Sequence, residues 1–191
     1  MKNVILLLVI LFLVGCGSTL PEAGINNVYK HMGANVVSPN EPGWYLMDRT
    51  DYGVVFGKKY SDSSESAIAN TYVYRVGKFE SDEAFFEVLK QGRSEVKNKA
   101  RFKQLEAEHE LSSLNGRACL KYSGISEDHG NNGINSNDFK YFKNVGYICR
   151  AKIDPTLALL MEVSHRSDSK NIPIDIKEIA VQFFSNIEFT E

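Results

Sequence analysis

The chain has 191 residues, 43% of them hydrophobic and 24% charged, with a formal net charge of −2. These are ordinary globular proportions, and the length suits one domain with a proper core. A near-neutral balance without a basic block excludes a protein built around nucleic acid or an anionic membrane surface.

The start of the chain stands apart from the rest. Met1-Lys2-Asn3 leads into an unbroken apolar run from Val4 to Val14, the pattern of a secretory signal. As a helix that run spans roughly 16 Å, short of the roughly 20 residues a membrane span needs. It ends in Leu13-Val14-Gly15-Cys16, which resembles the lipobox of bacterial lipoproteins. The resemblance implies that residues 1–15 are removed and that Cys16 carries the lipid. Several acyl chains on one cysteine would meet the two-signal requirement for stable anchoring. Gly17 in place of Asp implies sorting to the periplasmic face of the outer membrane. The alternative is an ordinary signal peptide cut elsewhere, with Cys16 incidental.

Residues 16–39 are then expected to form a lipidated N-terminus and tether. Within it Ile25, Val28, Tyr29 and Met32 keep the rhythm of one helical face, which predicts a short helix. His31 falls in the same stretch. Pro39 to Gly43 reads as a loop before Trp44, and residues 40–191 as a single domain.

Tyr45 to Tyr60 is strand material, with Tyr52, Val54 and Phe56 alternating. Ser61 to Ser66 is a polar turn, and Ile68 to Phe79 a second strand region rich in Tyr, Val and Thr. Ser81 offers an N-cap with Asp82 and Glu83 behind it, and Phe85, Val88, Leu89 and Val96 line one helical face. Gln104 to Leu111 reads as a strand ending at an Asn115-Gly116 turn. Its alternating Glu106, Glu108 and Glu110 are read as a solvated strand face.

Arg117 to Ser126 and Phe139 to Ile153 read as strands joined by the polar stretch Glu127 to Asp138. An antiparallel hairpin centred on Ile134 places Cys119 opposite Cys149, within reach of a cross-strand disulfide. Two cysteines left over in an exported chain point the same way; the alternative is two free buried thiols. A strand from Thr156 to Ser167 follows. A helix from near Pro173 is expected to bury Ile176, Ile179, Ala180, Phe183 and Phe184, and Ile187 to Phe189 closes the chain.

Strands grouped between two helices predict an α+β fold, an antiparallel β-sheet packed with two main helices. Pro42-Gly43-Trp44, the helix after the first hairpin and the closing helix running into Ile187 to Phe189 resemble the layout of the Mog1/PsbP-like fold, including DcrB-like envelope lipoproteins. That resemblance implies a non-enzymatic partner of other proteins.

Motifs for catalysis are thin. Ser164 and His165 are adjacent on a strand and face opposite ways, so they do not form a nucleophile–base pair. No zinc-like spacing, P-loop, HExxH or Gly-x-Ser-x-Gly occurs. The candidate interaction residues are Asp128, His129, Asn132 and Asp138 of the polar stretch, which fails the EF-hand pattern, together with His165. The functional expectation is a membrane-anchored, non-catalytic protein-binding or accessory module without cofactor, metal or nucleic acid. The alternatives are an immunity or inhibitor lipoprotein acting through the 127–138 loop, or an envelope hydrolase or ion-binding protein using His109 or His165.

Overall fold

The structure is a computed structural model that describes residues 20–61, 64–94, 98–130, 137–170 and 176–190. The apolar leader, Cys16 and Asn132 lie outside the described residues. No described helix is long and apolar enough to cross a membrane.

The chain opens with strands rather than the expected helix. β1 (Val28–His31) and β2 (Ala34–Val37) form an antiparallel pair. Left-handed backbone at Gly24 (φ 70°) and Asn26 (φ 58°) breaks any helix before it starts. The inward positions then fall at a spacing of two, with Tyr29 and His31 buried. Gly33 completes the turn, where a Cβ would collide with the Val73 side chain. The 16–39 stretch is therefore no tether over its described part, because Ala23, Tyr29, Ala34 and Val36 belong to the main core.

β3 (Trp44–Thr50), β4 (Gly53–Lys59) and β5 (Ser66–Arg75) follow as a meander. α1 (Asp82–Ser94) is capped by Ser81, whose Oγ accepts from the Ala84 amide at 3.2 Å. β6 (Phe102–Leu114), β7 (Arg117–Asp128), β8 (Lys140–Arg150) and β9 (Leu157–Ser167) come next. α2 (Ile176–Ser185) and β10 (Glu188–Phe189) end the chain. Seven strands make one antiparallel sheet in the order β3-β4-β5-β9-β8-β7-β6, and β1-β2-β10 make a second. The expected α+β arrangement of antiparallel strands and two helices is the one observed.

Each face of the large sheet has its own core. Phe183, Phe184 and Ile176 of α2, with Tyr29 and Val36 of the small sheet, cover Phe56, Leu159 and Met161. On the other face Phe85, Phe86 and Leu89 of α1 cover Leu120, Ile148 and Ala158. Val88, expected on the buried helical stripe, is instead 51% exposed.

The β6–β7 turn sets the phase of the disulfide. Asn115 (φ 49°) and Gly116 (φ 79°) both take the left-handed region that a two-residue type I′ turn demands. The pair flanking such a turn, Leu114 and Arg117, is hydrogen-bonded, and the alternation makes Ser112 and Cys119 hydrogen-bonded too. Cys119 then meets β8 as a non-hydrogen-bonded pair, the closer kind. Its partner in register is Cys149, at a Cα–Cα distance of 4.3 Å, and the two form a disulfide.

Candidate binding cleft

α1 has only 13 residues, about 20 Å of helix, and it roofs only one end of its sheet face. Beyond it the strands carry little bulk, with Gly124 and Ser126 on β7 and Gly146 on β8. The result is a cleft of about 700 Å³ between the helix and the sheet. Val88 and Leu89 form its helical wall, and the neighbouring rings of Phe102 and Phe142 also line it.

Its floor is a polar constellation centred on Glu162 of β9. Tyr122 Oη donates to Glu162 Oε2 at 2.8 Å, and Asn144 Nδ2 to the same oxygen at 2.9 Å. Arg93 of α1 adds a longer contact of 3.5 Å from Nη2, while its guanidinium lies 3.8 Å from the centre of the Tyr122 ring. Tyr122 is 2% exposed. Burial first, and then the charge of Glu162, pushes its phenol well above the ordinary range, so Tyr122 holds its proton as a donor. Gly146 stands beside Tyr122 in register, and a Cβ there would collide with Tyr122 Oη and the Met161 carbonyl. The glycine makes room for the ring.

His109 stands in the lining, in register with Tyr122 on the neighbouring strand. Burial, followed by the charges of Arg93 and Lys90, pushes its pKa down, so the imidazole is neutral near pH 7. The floor therefore presents a carboxylate fixed by the Tyr122 hydroxyl and the Asn144 amide, and an aromatic-stacked guanidinium, at the foot of apolar walls. Such a site orients a ligand through a few polar contacts while its walls bury apolar surface.

Several expected interaction residues are internal instead. Asp128 is 1% exposed and accepts from Arg101 through Nε at 2.7 Å and Nη2 at 2.9 Å. The Gly130 amide donates to it at 3.0 Å, and Arg166 Nε lies 2.8 Å away as an ion-pair contact. Burial alone would raise its pKa, but these donors and charges outweigh it and hold the carboxyl below its ordinary value. His129 is buried against Phe139, with Nε2 3.1 Å from Glu127. His165 is 1% exposed beside Tyr60; among the described residues its ring nitrogens lack a hydrogen-bond partner, and the carboxylate of Glu65 is 3.8 Å away. Asp138 is exposed. The Asp128 carboxylate is thus not available to a partner, because two arginines draw it inward.

Sequence reasoning missed the cleft. Glu162, Asn144 and Tyr122 lie on three different strands, and no local motif joins them. The single legible signal was a carboxylate placed among apolar residues in β9.

No protein-family model and no curated protein matches this sequence. Solved structures do. The chain is similar to LpqN of Mycobacterium tuberculosis, described as involved in cell envelope biogenesis, with a TM-score of 0.53 at 12% identity over 83% of this chain and 84% of that one. It is also similar to the Saccharomyces cerevisiae Ran-binding protein Mog1p, with a TM-score of 0.46 at 10% identity over 85% of this chain and 95% of that one. A Mog1 E65A mutant gives 0.49 at 10% identity over 86% and 96%. The likeness is one of fold.

Proposed function

We propose that this chain is a lipid-anchored, non-catalytic binding module of the bacterial envelope, and that the α1 cleft is its recognition site. The observation that carries the reading is the construction of the cleft floor. Glu162 accepts from three described donors on Oε2, so its carboxylate is held in one orientation toward the cleft floor. The ligand that fits has an apolar body for the Val88 and Phe142 walls and a hydrogen-bonding head for the floor.

The envelope address rests on the lipobox-like Leu13-Val14-Gly15-Cys16. The fold it shares with an envelope-biogenesis protein is in keeping with that address. The finer assignment, the periplasmic face of the outer membrane, rests on Gly17. A disulfide between Cys119 and Cys149 suits an oxidising compartment of this kind.

The hydrolase alternative finds less support. Among the described residues His165 is buried with no carboxylate within hydrogen-bond reach, Ser164 faces the opposite side of β9, and His109, though in the cleft lining, has no described hydrogen bond to a carboxylate.

Two variants test the reading. Cys16→Ser is expected to release the protein from membranes, and continued retention would refute the anchor. Val88→Trp fills the mouth of the cleft from an exposed helical position. Native mass spectrometry of the detergent-extracted protein is expected to find a bound small molecule in the wild type that the variant lacks. An identical adduct in both would place recognition elsewhere.

A further inference from the structure

The large sheet has two edges, and the fold treats them differently. At β3 the segment before β1 lies along the edge: Ala23 N–H donates to the Trp44 carbonyl and Leu46 N–H to the Pro21 carbonyl, both at 2.9 Å. A bulge between Leu46 and Asp48 then disrupts the remainder. At the other edge β6 runs for 13 residues, and its only bulge, between Gln104 and Glu106, sits near its start. From Glu106 to Leu114 the ladder is regular on the β7 side.

The turn phase identifies the free backbone. Leu114, Ser112, Glu110 and Glu108 point their amides and carbonyls at β7, so those of Ala107, His109, Leu111 and Ser113 point away from the sheet. No backbone bond from a described residue outside the sheet reaches these four. An edge of this length is a template for another strand.

The side chains state which strand would fit. On one face Glu106, Glu108 and Glu110 are exposed, each tied only at its own flank, to Lys170, Ser123 and Lys121. On the other face Leu111 is 65% exposed and is followed along the strand by His109 and Ala107. Two copies paired edge to edge would set glutamates beside glutamates, which disfavours self-association. An incoming strand with basic residues on the glutamate side and apolar residues on the Leu111 side satisfies both faces.

We propose that β6 is a docking edge for an extended segment of a partner protein that alternates basic and apolar side chains, added to the sheet by backbone pairing. The glutamates exclude acidic strands and further copies, and they select a basic one. This surface abuts the cleft, which Glu106, Ala107 and His109 also line, but docking uses the outward backbone of β6 and not the cleft floor.

The test uses the detergent-solubilised full chain and a capped nine-residue peptide of alternating lysine and valine. Hydrogen exchange is expected to show new protection at the amides of Ala107, His109, Leu111 and Ser113 when the peptide is added. Glu108→Lys combined with Glu110→Lys, both at exposed positions, is expected to weaken binding about tenfold. N-methylation of alternate peptide residues is expected to abolish binding in the set that bonds to β6 and to spare it in the other set. Val88→Trp is expected to leave binding unchanged. Protection absent from β6, equal binding of both methylated peptides, indifference to the charge reversal, or loss of binding in Val88→Trp would each overturn the proposal.

Discussion

The Tyr122 hydroxyl donates to Glu162 Oε2 at 2.8 Å, linking β7 to β9 across the glycine of β8 that separates them. The bond spans two strand spacings, which is possible because Gly146 leaves the intervening strand bare. It couples the stability of the sheet to the shape of the cleft floor.

Tyr122→Phe removes that donor while keeping the ring under Arg93. Hydrogen bonds to a charged group contribute about 1.5–3 kcal/mol. Asn144 and Arg93 remain to hold Glu162, so a loss of about 1–2 kcal/mol in urea unfolding is expected. Combined with Glu162→Gln, the two losses are expected to be less than additive in a double-mutant cycle. Strict additivity would show that the pair does not act as a unit.

Replacing Cys119 and Cys149 together by Ala opens a crosslink spanning 30 residues of sequence. The chain-entropy model gives a cost of about 3–4 kcal/mol. The check is the urea midpoint of the wild type with and without reductant, with the reduced protein expected to coincide with the double variant. A midpoint indifferent to reductant would count against the crosslink.

Asp128→Asn leaves Arg101 and Arg166 facing a neutral amide. Removing one partner of a fully buried pair costs about 3–5 kcal/mol. Because the Arg101 side chain is 45% exposed and the Arg166 side chain 36%, about 2–3 kcal/mol is expected. Equilibrium unfolding measures it, and a change below about 0.5 kcal/mol would class the knot with ordinary surface ion pairs.

Acid is expected to destabilise the protein over two pH ranges. His31 is buried, accepts the Gly33 amide on Nδ1 at 3.2 Å and therefore donates from Nε2 to Thr71 Oγ1 at 2.8 Å. Burial lowers its pKa from 6.5 to about 4, so the unfolded chain takes up the proton first. The stability linked to neutral His31 is fully present above about pH 6.5 and is lost as pH falls toward 4, by roughly 3 kcal/mol. The depressed pKa of Asp128 places a further loss below the ordinary aspartate range, as pH falls through its folded value. Urea midpoints across pH are expected to show both limbs, with His31→Gln flattening the upper one. An upper limb unchanged in that variant would assign it to another group.

The strands of the large sheet, both helices and the facing of Cys119 and Cys149 were legible in the sequence, because each depends on local periodicity and on one hairpin register. The 25–32 segment misled. Its apolar spacing fits a helix, while two left-handed residues at Gly24 and Asn26 and a tight Gly33 turn make it a strand pair. Asp128 looked like an exposed loop ligand because its partners, Arg101 and Arg166, are 27 and 38 residues away along the chain.

By itself, then, the sequence determined the secondary structure from β3 onward, the α+β class and the register that joins the two cysteines, all set by neighbours within one or two elements. Only the tertiary structure decided which polar groups are buried and where the hollow lies. Glu162, Tyr122, Asn144 and Arg93 meet because four elements bring them together around Gly146, and the free edge at β6 exists because no described strand follows it in the sheet. Such placements depend on how strands are ordered across the sheet, a long-range property that local pattern does not carry.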